Sequence, residues 1–172
     1  MVEDSMIGPE TAATLTRDAS LSTADRHPLV TIAERKLRAA AVPHPLLDLD
    51  HLCQWFAKKV DIEYRRIDPL KVDFSKIGDV MSGTYASRYR ILPLEVAPGE
   101  VVIATAQPFI TDWADELSHT LRKDIRVVFS NPLEVQRYLV EFFSLARTIK
   151  SAQKAGGAAV QNNFEQLVEL GR

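Results

Sequence analysis

The sequence has only one cysteine and four histidines, and it has no long apolar run. Its one cysteine, Cys53, cannot form an internal disulfide bond, which suits a reducing compartment. No apolar run approaches the roughly 20 residues that span a bilayer, and the first 27 residues lack the apolar centre of a signal peptide. We therefore expect a cytoplasmic protein with no membrane span of its own.

The charges of the chain nearly cancel. There are 21 lysines and arginines against 23 aspartates and glutamates, for a formal net charge of -2. Such a chain has no overall basic field that would concentrate nucleic acid or an anionic membrane. Neither is expected as a direct partner.

Motifs for catalysis or cofactor binding are also missing from the sequence. None of the seven glycines is followed by lysine, so there is no Walker A loop for a triphosphate. The four histidines are scattered, and His51 and Cys53, two positions apart on a predicted helix, would diverge rather than converge on a metal. Asp112, Asp115 and Glu116 are interpreted as first-turn acids that favour a helix dipole rather than as an acid/base pair. We predict no catalytic, cofactor-binding or metal-binding residues in this chain.

The first 45 residues are predicted to form a tail, a helix and a hinge. Residues 1–27, rich in Thr, Ser, Ala and Asp with few apolar residues, are expected to be disordered. From Pro28, apolar residues recur at steps of three and four, which predicts an amphipathic helix up to Ala41. Two prolines then end the helix, so residues 42–45 are a predicted hinge.

Residues 46–150 are predicted to be an α+β unit, with helices packed on a small mixed or antiparallel sheet. The predicted elements, in chain order, are a helix capped by Asp48, a strand at 62–67, a helix at 74–81, a hairpin at 91–106, a helix capped by Asp112, a strand at 124–131 and a helix from Pro132. Pro98 and Gly99 suit the centre of a type II turn in the hairpin. Asn131 and Glu134 have the spacing of a capping box.

Residues 151–172 are predicted to be a linker. Periodicity is lost over residues 151–163, which contain the only Gly-Gly pair of the chain. Such a composition is typical of a flexible connection. A short apolar helix is expected to start at Phe164.

A basic cluster with neighbouring tyrosines is a candidate site. Arg65, Arg66, Arg88 and Arg90, with Tyr64, Tyr85 and Tyr89 beside them, could bind an anion or a nucleotide, because Arg offers a bidentate fork and Tyr a stacking face. The alternative is a solvated strand edge whose charges prevent aggregation. Acidic neighbours such as Glu63 favour that alternative.

A recognisable pattern covers about Leu46 to Phe143. It includes the segments YASRYRILPLEV, VVIATAQPF and DELSHTLRKDIRVVFSNPLEVQRYLVEFF, followed by the closing FEQLVELGR. The positions that carry the pattern are Ala86, Arg88, Leu92, Pro93, Leu94, Ala104, Ala106, Pro108 and the helix from Pro132. The pattern resembles the N-terminal domain of the type II secretion and type IV pilus assembly ATPases, the general secretion pathway protein E family.

This resemblance implies a non-catalytic domain that precedes a hexameric ATPase core. ATP and magnesium would be cofactors of that core. The present chain is expected to end near the start of the ATPase core. The implied partner is the cytoplasmic domain of an inner-membrane platform protein, which would place the chain peripherally at that membrane. Some relatives bind cyclic di-GMP through motifs built on Arg-Leu-Gly, and no Arg-Leu-Gly occurs here. Nucleotide binding is therefore kept as the alternative function.

The predicted helix from Pro28 supplies the candidate docking surface. Leu29, Ile32 and Leu37 lie on one apolar face, and the prolines after it would present that face independently of the α+β unit. The alternative is that the same face packs on the core of the domain itself, as most amphipathic helices do.

Overall fold

The architecture is a three-stranded sheet with helices packed on it and a second, helical core beside it. The computed structural model describes residues 1–18 and 26–169, with side chains up to Lys154. Residues 19–25, which belong to the predicted tail, and residues 170–172 lie outside the described part. The α+β prediction is confirmed.

The sheet is mixed, with the strand order β1-β2-β3. Strands β1 (Ile91–Val96) and β2 (Glu100–Thr105) form an antiparallel hairpin, and β3 (Asp124–Phe129) lies parallel to β2. The parallel pair needs a crossover, which helix α6 (Asp112–Leu121) supplies. The central strand β2 is buried from Val101 to Thr105, so its residues lie in the middle of the core.

Helix α6 and three further helices pack on the sheet. The three further helices are α4 (Phe74–Val80), α5 (Gly83–Tyr89) and the 38-residue α7 (Pro132–Glu169). Trp113 of α6 and Phe142 of α7 are among the largest fully buried side chains of this sheet core. Apolar residues that recur along α7 at steps of three and four are all buried, so they form a stripe that packs inward: Val135, Leu139, Phe142 and Ala146.

The second core is built by the N-terminal part of the chain. Helices α1 (Pro9–Thr16), α2 (Pro28–Glu34) and α3 (Leu49–Lys59) contribute to it, and Phe129 reaches into it from β3. Ile7 is only 4% exposed within it. The prediction of a disordered tail is therefore wrong for residues 1–18. Ile7 is buried in a core made by distant residues, and Met1, Met6, Ala12 and Leu15 pack against that core.

The predicted helix from Pro28 to Ala41 is also shorter than expected. It ends at Glu34, and Lys36 takes a left-handed backbone conformation with φ of 50°. The next residues form a small ribbon in which Ala39 N donates to Pro45 O at 2.8 Å and Ala40 N donates to Met6 O at 3.2 Å. Residues 42–45, the predicted hinge, are the tip of this ribbon.

The segment at 62–67 is not a regular strand. It makes one parallel bridge, between Tyr64 and Phe129. Arg65 N donates to Phe129 O at 2.9 Å, and Phe129 N donates to Glu63 O at 2.8 Å. The segment thus covers only the last residue of β3, which is too short a pairing for a fourth strand.

Three local predictions need correction. The hairpin turn closes with Ala97 N donating to Glu100 O at 2.9 Å, but Gly99 does not have the positive φ that a type II turn requires. Thr111, not Asp112, is the N-cap of α6. Asn131 caps α7 by accepting from Leu133 N at 3.0 Å, whereas Oε2 of Glu134 is buried without a partner, so the capping box is incomplete.

The linker prediction for residues 151–163 is wrong as well. Helix α7 continues to Glu169 and includes the Gly-Gly pair and the separate helix expected at Phe164. Glycine in a helix interior costs about 1 kcal/mol relative to alanine, and the surrounding alanines, glutamines and lysine are compatible with a helix. Among the helices of the described residues, none combines the length and the apolar character needed to cross a bilayer.

Candidate functional site

The predicted docking face lies inside the molecule. Leu29 is 5% exposed and Ile32 is 8% exposed, and both belong to the N-terminal core, against which Leu37 packs as a partly buried residue. These side chains already have a partner in the chain itself. The structure therefore supports the alternative that this helix is part of the fold, and the docking prediction at Leu29, Ile32 and Leu37 is wrong.

Two of the predicted arginines are held by carboxylates near the end of β3. Arg65 donates to Glu95 at 2.7 Å and to Glu63 at 3.0 Å, and Arg66 donates to Asp50 at 2.5 Å. The guanidinium of Arg66, and then the hydroxyl of Tyr64, which donates to Asp50 at 2.7 Å, lower the pKa of the Asp50 carboxyl. These arginines are thus tied to acids, as in the predicted alternative of a charged surface.

The other two arginines lie at the end of α5. The guanidinium of Arg88 stands 5.4 Å from the ring centre of Tyr89. Arg90 is the C-cap of α5 with φ of 52° and lines a separate pocket. Arg65 and Arg66 line a different cavity from Arg90, so the four arginines do not form one anion site.

The pocket beside Arg90 is a cavity of about 530 Å³ where α2, α5 and α7 meet. We call it the junction pocket. Val30 and Leu139 are among its apolar residues, and its polar residues are Arg26, His27, Glu34, Ser87, Arg90 and Gln136. Its volume lies in the range of small-molecule sites, roughly 300 to 1,000 Å³. Arg26 is partly neutralised, because it donates to Glu34 at 2.6 Å.

His27 connects the two cores at this pocket. Its Nδ1 accepts from Leu29 N at 3.2 Å and so caps α2, and its ring lies 6.3 Å from that of Phe129. Burial lowers the pKa of His27, a hydrogen bond to the backbone of Ala106 opposes this, and the charge of Arg90 lowers the pKa further. His27 was not predicted as a site residue, although a polar residue before Pro28 and an apolar run is a helix-start signal.

A second concave surface runs along α7. This groove, of about 690 Å³, lies between α7 and the segment of α4 and α5. We call it the α7 groove. A Cβ added at Gly83 would lie 3.2 Å from the ring of Phe143, so α5 and α7 approach closely at its floor. The groove and the junction pocket share Ser87, Leu139 and Val140.

The arrangement offers little for chemistry. Burial raises the pKa of the Cys53 thiol to about 12, so the thiolate needed for nucleophilic attack is scarce near neutral pH. Over residues 1–18 and 26–154, no group of three or more His, Cys, Asp or Glu side chains is placed to hold a metal ion. The described residues instead form concave surfaces, including the junction pocket and the α7 groove.

The chain is similar to a pilus assembly ATPase in sequence and to a solved MshE structure in fold. The chain is 37% identical over 147 residues to the "Type IV pilus assembly ATPase TfpB" of Acinetobacter baylyi (strain ATCC 33305 / BD413 / ADP1). The aligned region covers 84% of this chain and 25% of that relative. A solved structure described as "Structure of MshE with cdg" has the same fold, with a TM-score of 0.57 at 13% identity, over 82% of this chain and 94% of that one.

The family follows from a match of residues 60–149 to the MshEN domain, and the chain belongs to that family. The resemblance to the N-terminal domain of secretion and pilus assembly ATPases is confirmed. The chain spans about a quarter of the length of its pilus ATPase relative. The family match covers this domain alone.

Proposed function

We propose that this chain is the docking and regulatory domain of a type II secretion or type IV pilus assembly ATPase. It would couple a cytoplasmic hexameric motor to the cytoplasmic part of an inner-membrane platform protein, and ATP and magnesium would act at the motor alone. The similarity to a pilus assembly ATPase over 84% of this chain carries the proposal. The absence of catalytic chemistry from the described surface agrees with a role in binding.

The proposal is tested by direct binding. The purified chain and the purified cytoplasmic region of the platform protein from the same organism are titrated by calorimetry. We expect saturable binding and no hydrolysis of magnesium-ATP by the chain alone. A chain that binds no platform protein at all, under conditions where the full-length ATPase does, would refute the docking role.

A second candidate is binding of a cyclic dinucleotide in the junction pocket. The structural relative is described with "cdg", and the pocket combines Arg26 and Arg90 with apolar walls in a suitable volume. The missing Arg-Leu-Gly motif argues against it. Calorimetry with cyclic di-GMP tests it: binding should be weakened by Arg26→Ala and kept by Arg88→Ala, whose side chain lies outside the pocket. A flat titration of the unmodified chain would exclude this candidate.

A further inference from the structure

The α7 groove has the build of a helix-binding surface. Its floor is apolar, with Met81, Leu139, Phe143 and Ala146 all less than a tenth exposed. One wall is made by the small side chains of α5 and the turn before it, including Ser82 and Ser87. Small wall residues let the backbone of a docked helix approach closely, as in helix-in-groove recognition.

The open side of the groove carries an apolar residue that the domain itself leaves in solvent. Val140 is 74% exposed, although it lies on α7 between the buried Leu139 and Phe143. Val140 lines the groove together with both neighbours. The exposed side chain of Val140 can therefore contact an apolar residue of a partner that binds in the groove.

The groove is positively charged at the end where Arg147 and Lys150 line it. None of the described lining residues is acidic. Lys150 donates to Asp79 at 3.1 Å. No hydrogen bond or ion pair to Arg147 is present over the described part of the chain. An unpaired guanidinium beside an apolar floor favours a partner with a carboxylate.

We propose that the α7 groove is the docking site for an amphipathic helix of the platform protein, with its acidic end beside Arg147. The groove follows α7 from Leu139 to Lys150, about 17 Å at 1.5 Å per residue, so three turns of helix fill it. This inference rests on the proposed docking function and replaces the buried face of α2 as the surface that performs it.

Substitutions at exposed groove positions test the inference. Val140→Asp removes the apolar contact and Arg147→Glu reverses the charge; each should weaken calorimetric binding to the platform protein's cytoplasmic region at least tenfold. Leu145→Asp and Leu70→Asp are matched controls. Leu145 is exposed on the same helix, Leu70 is 96% exposed, and neither residue lines the groove. Both controls should bind as the unmodified chain does, and all four variants should keep its melting temperature.

A charge exchange identifies the partner surface. Lysine is substituted in turn for each acidic residue of the platform region, and one of these variants should restore binding to Arg147→Glu. If the unmodified chain binds the platform protein and the Val140 and Arg147 variants bind equally well, the groove is not the site, although the docking function stands. If no binding occurs with the unmodified chain, both proposals fall. Loss of cyclic di-GMP binding in these variants, with platform binding unchanged, would also overturn the inference.

Discussion

The sheet region and the N-terminal region of this protein differ in how their apolar residues are distributed. In the sheet region, β2 buries five successive residues and α7 carries a regular stripe. In the N-terminal region, single apolar residues such as Ile7 are buried by residues far away in the chain. Periodicity therefore predicts elements that bury a whole stripe, and it misses segments whose scattered apolar residues are covered by distant parts of the chain.

Polar contacts show the same difference. Asp4 accepts from the Lys59 ammonium group at 3.0 Å and from Trp55 Nε1 at 3.0 Å, across more than 50 positions of the chain. The Lys59 hydrogen bond, and then that of Trp55, lower the pKa of the Asp4 carboxyl. No local pattern around Asp4 announces these partners. The first residues are ordered by α3, which follows much later in the sequence.

The largest effect is expected from the centre of the sheet region. Trp113→Ala should destabilise the protein by about 3 to 5 kcal/mol, because it leaves a large cavity under α6, where Trp113 is 1% exposed. Urea unfolding measures the change. Leu70→Ala, at a solvent position, should leave the free energy of unfolding unaltered. A small loss at Trp113 would show that the sheet region is packed more loosely than the structure indicates.

An intermediate effect is expected in the N-terminal region. Ile7→Ala should cost about 2 kcal/mol in the same measurement, since it removes a buried side chain from the second core. Val2→Ala, in the same segment but exposed, serves as the control and should be neutral. Equal and negligible changes for both variants would restore the prediction of a disordered N-terminal tail.

His27 should make stability depend on pH at the boundary of the two regions. Its pKa is lower in the folded protein than the usual 6.5, so the unfolded chain binds more protons below that value. The stabilising contribution of neutral His27 is thus complete above about pH 6.5 and declines as pH falls toward the folded pKa. His27→Gln should flatten the dependence of urea midpoints between pH 7.5 and 5. An unchanged slope would contradict the capping role of the neutral ring.

The smallest effect concerns the continuation of α7. Gly157→Ala should stabilise the local helix by about 0.5 to 1 kcal/mol, because glycine is the poorer helix former. Slower amide hydrogen exchange over residues 151–163 would report it. Gly8→Ala, outside any helix, should not alter exchange in this segment. If Gly157→Ala also has no effect there, the predicted flexible linker regains support.

The candidate site was harder to predict than the fold. Two pairs of arginines with neighbouring tyrosines suggested one anion site, yet Arg65 is bound by Glu63 and Glu95 while Arg90 lines another pocket. The α7 groove was not predicted, because its floor, wall and rim come from three helices. Val140 gave one signal, as an apolar residue outside the inward stripe of α7, but such residues are common on protein surfaces.

The sequence alone determined the α+β class, the hairpin, the start of α7 and the family, because each depends on the order and spacing of residues along the chain. Tertiary structure decided that residues 1–18 are ordered, that α2 ends at Glu34 with its apolar face inward, and that Val140 remains outside. The physical reason is burial. Whether an apolar side chain is covered depends on residues far away in the chain, and local periodicity contains no information about them.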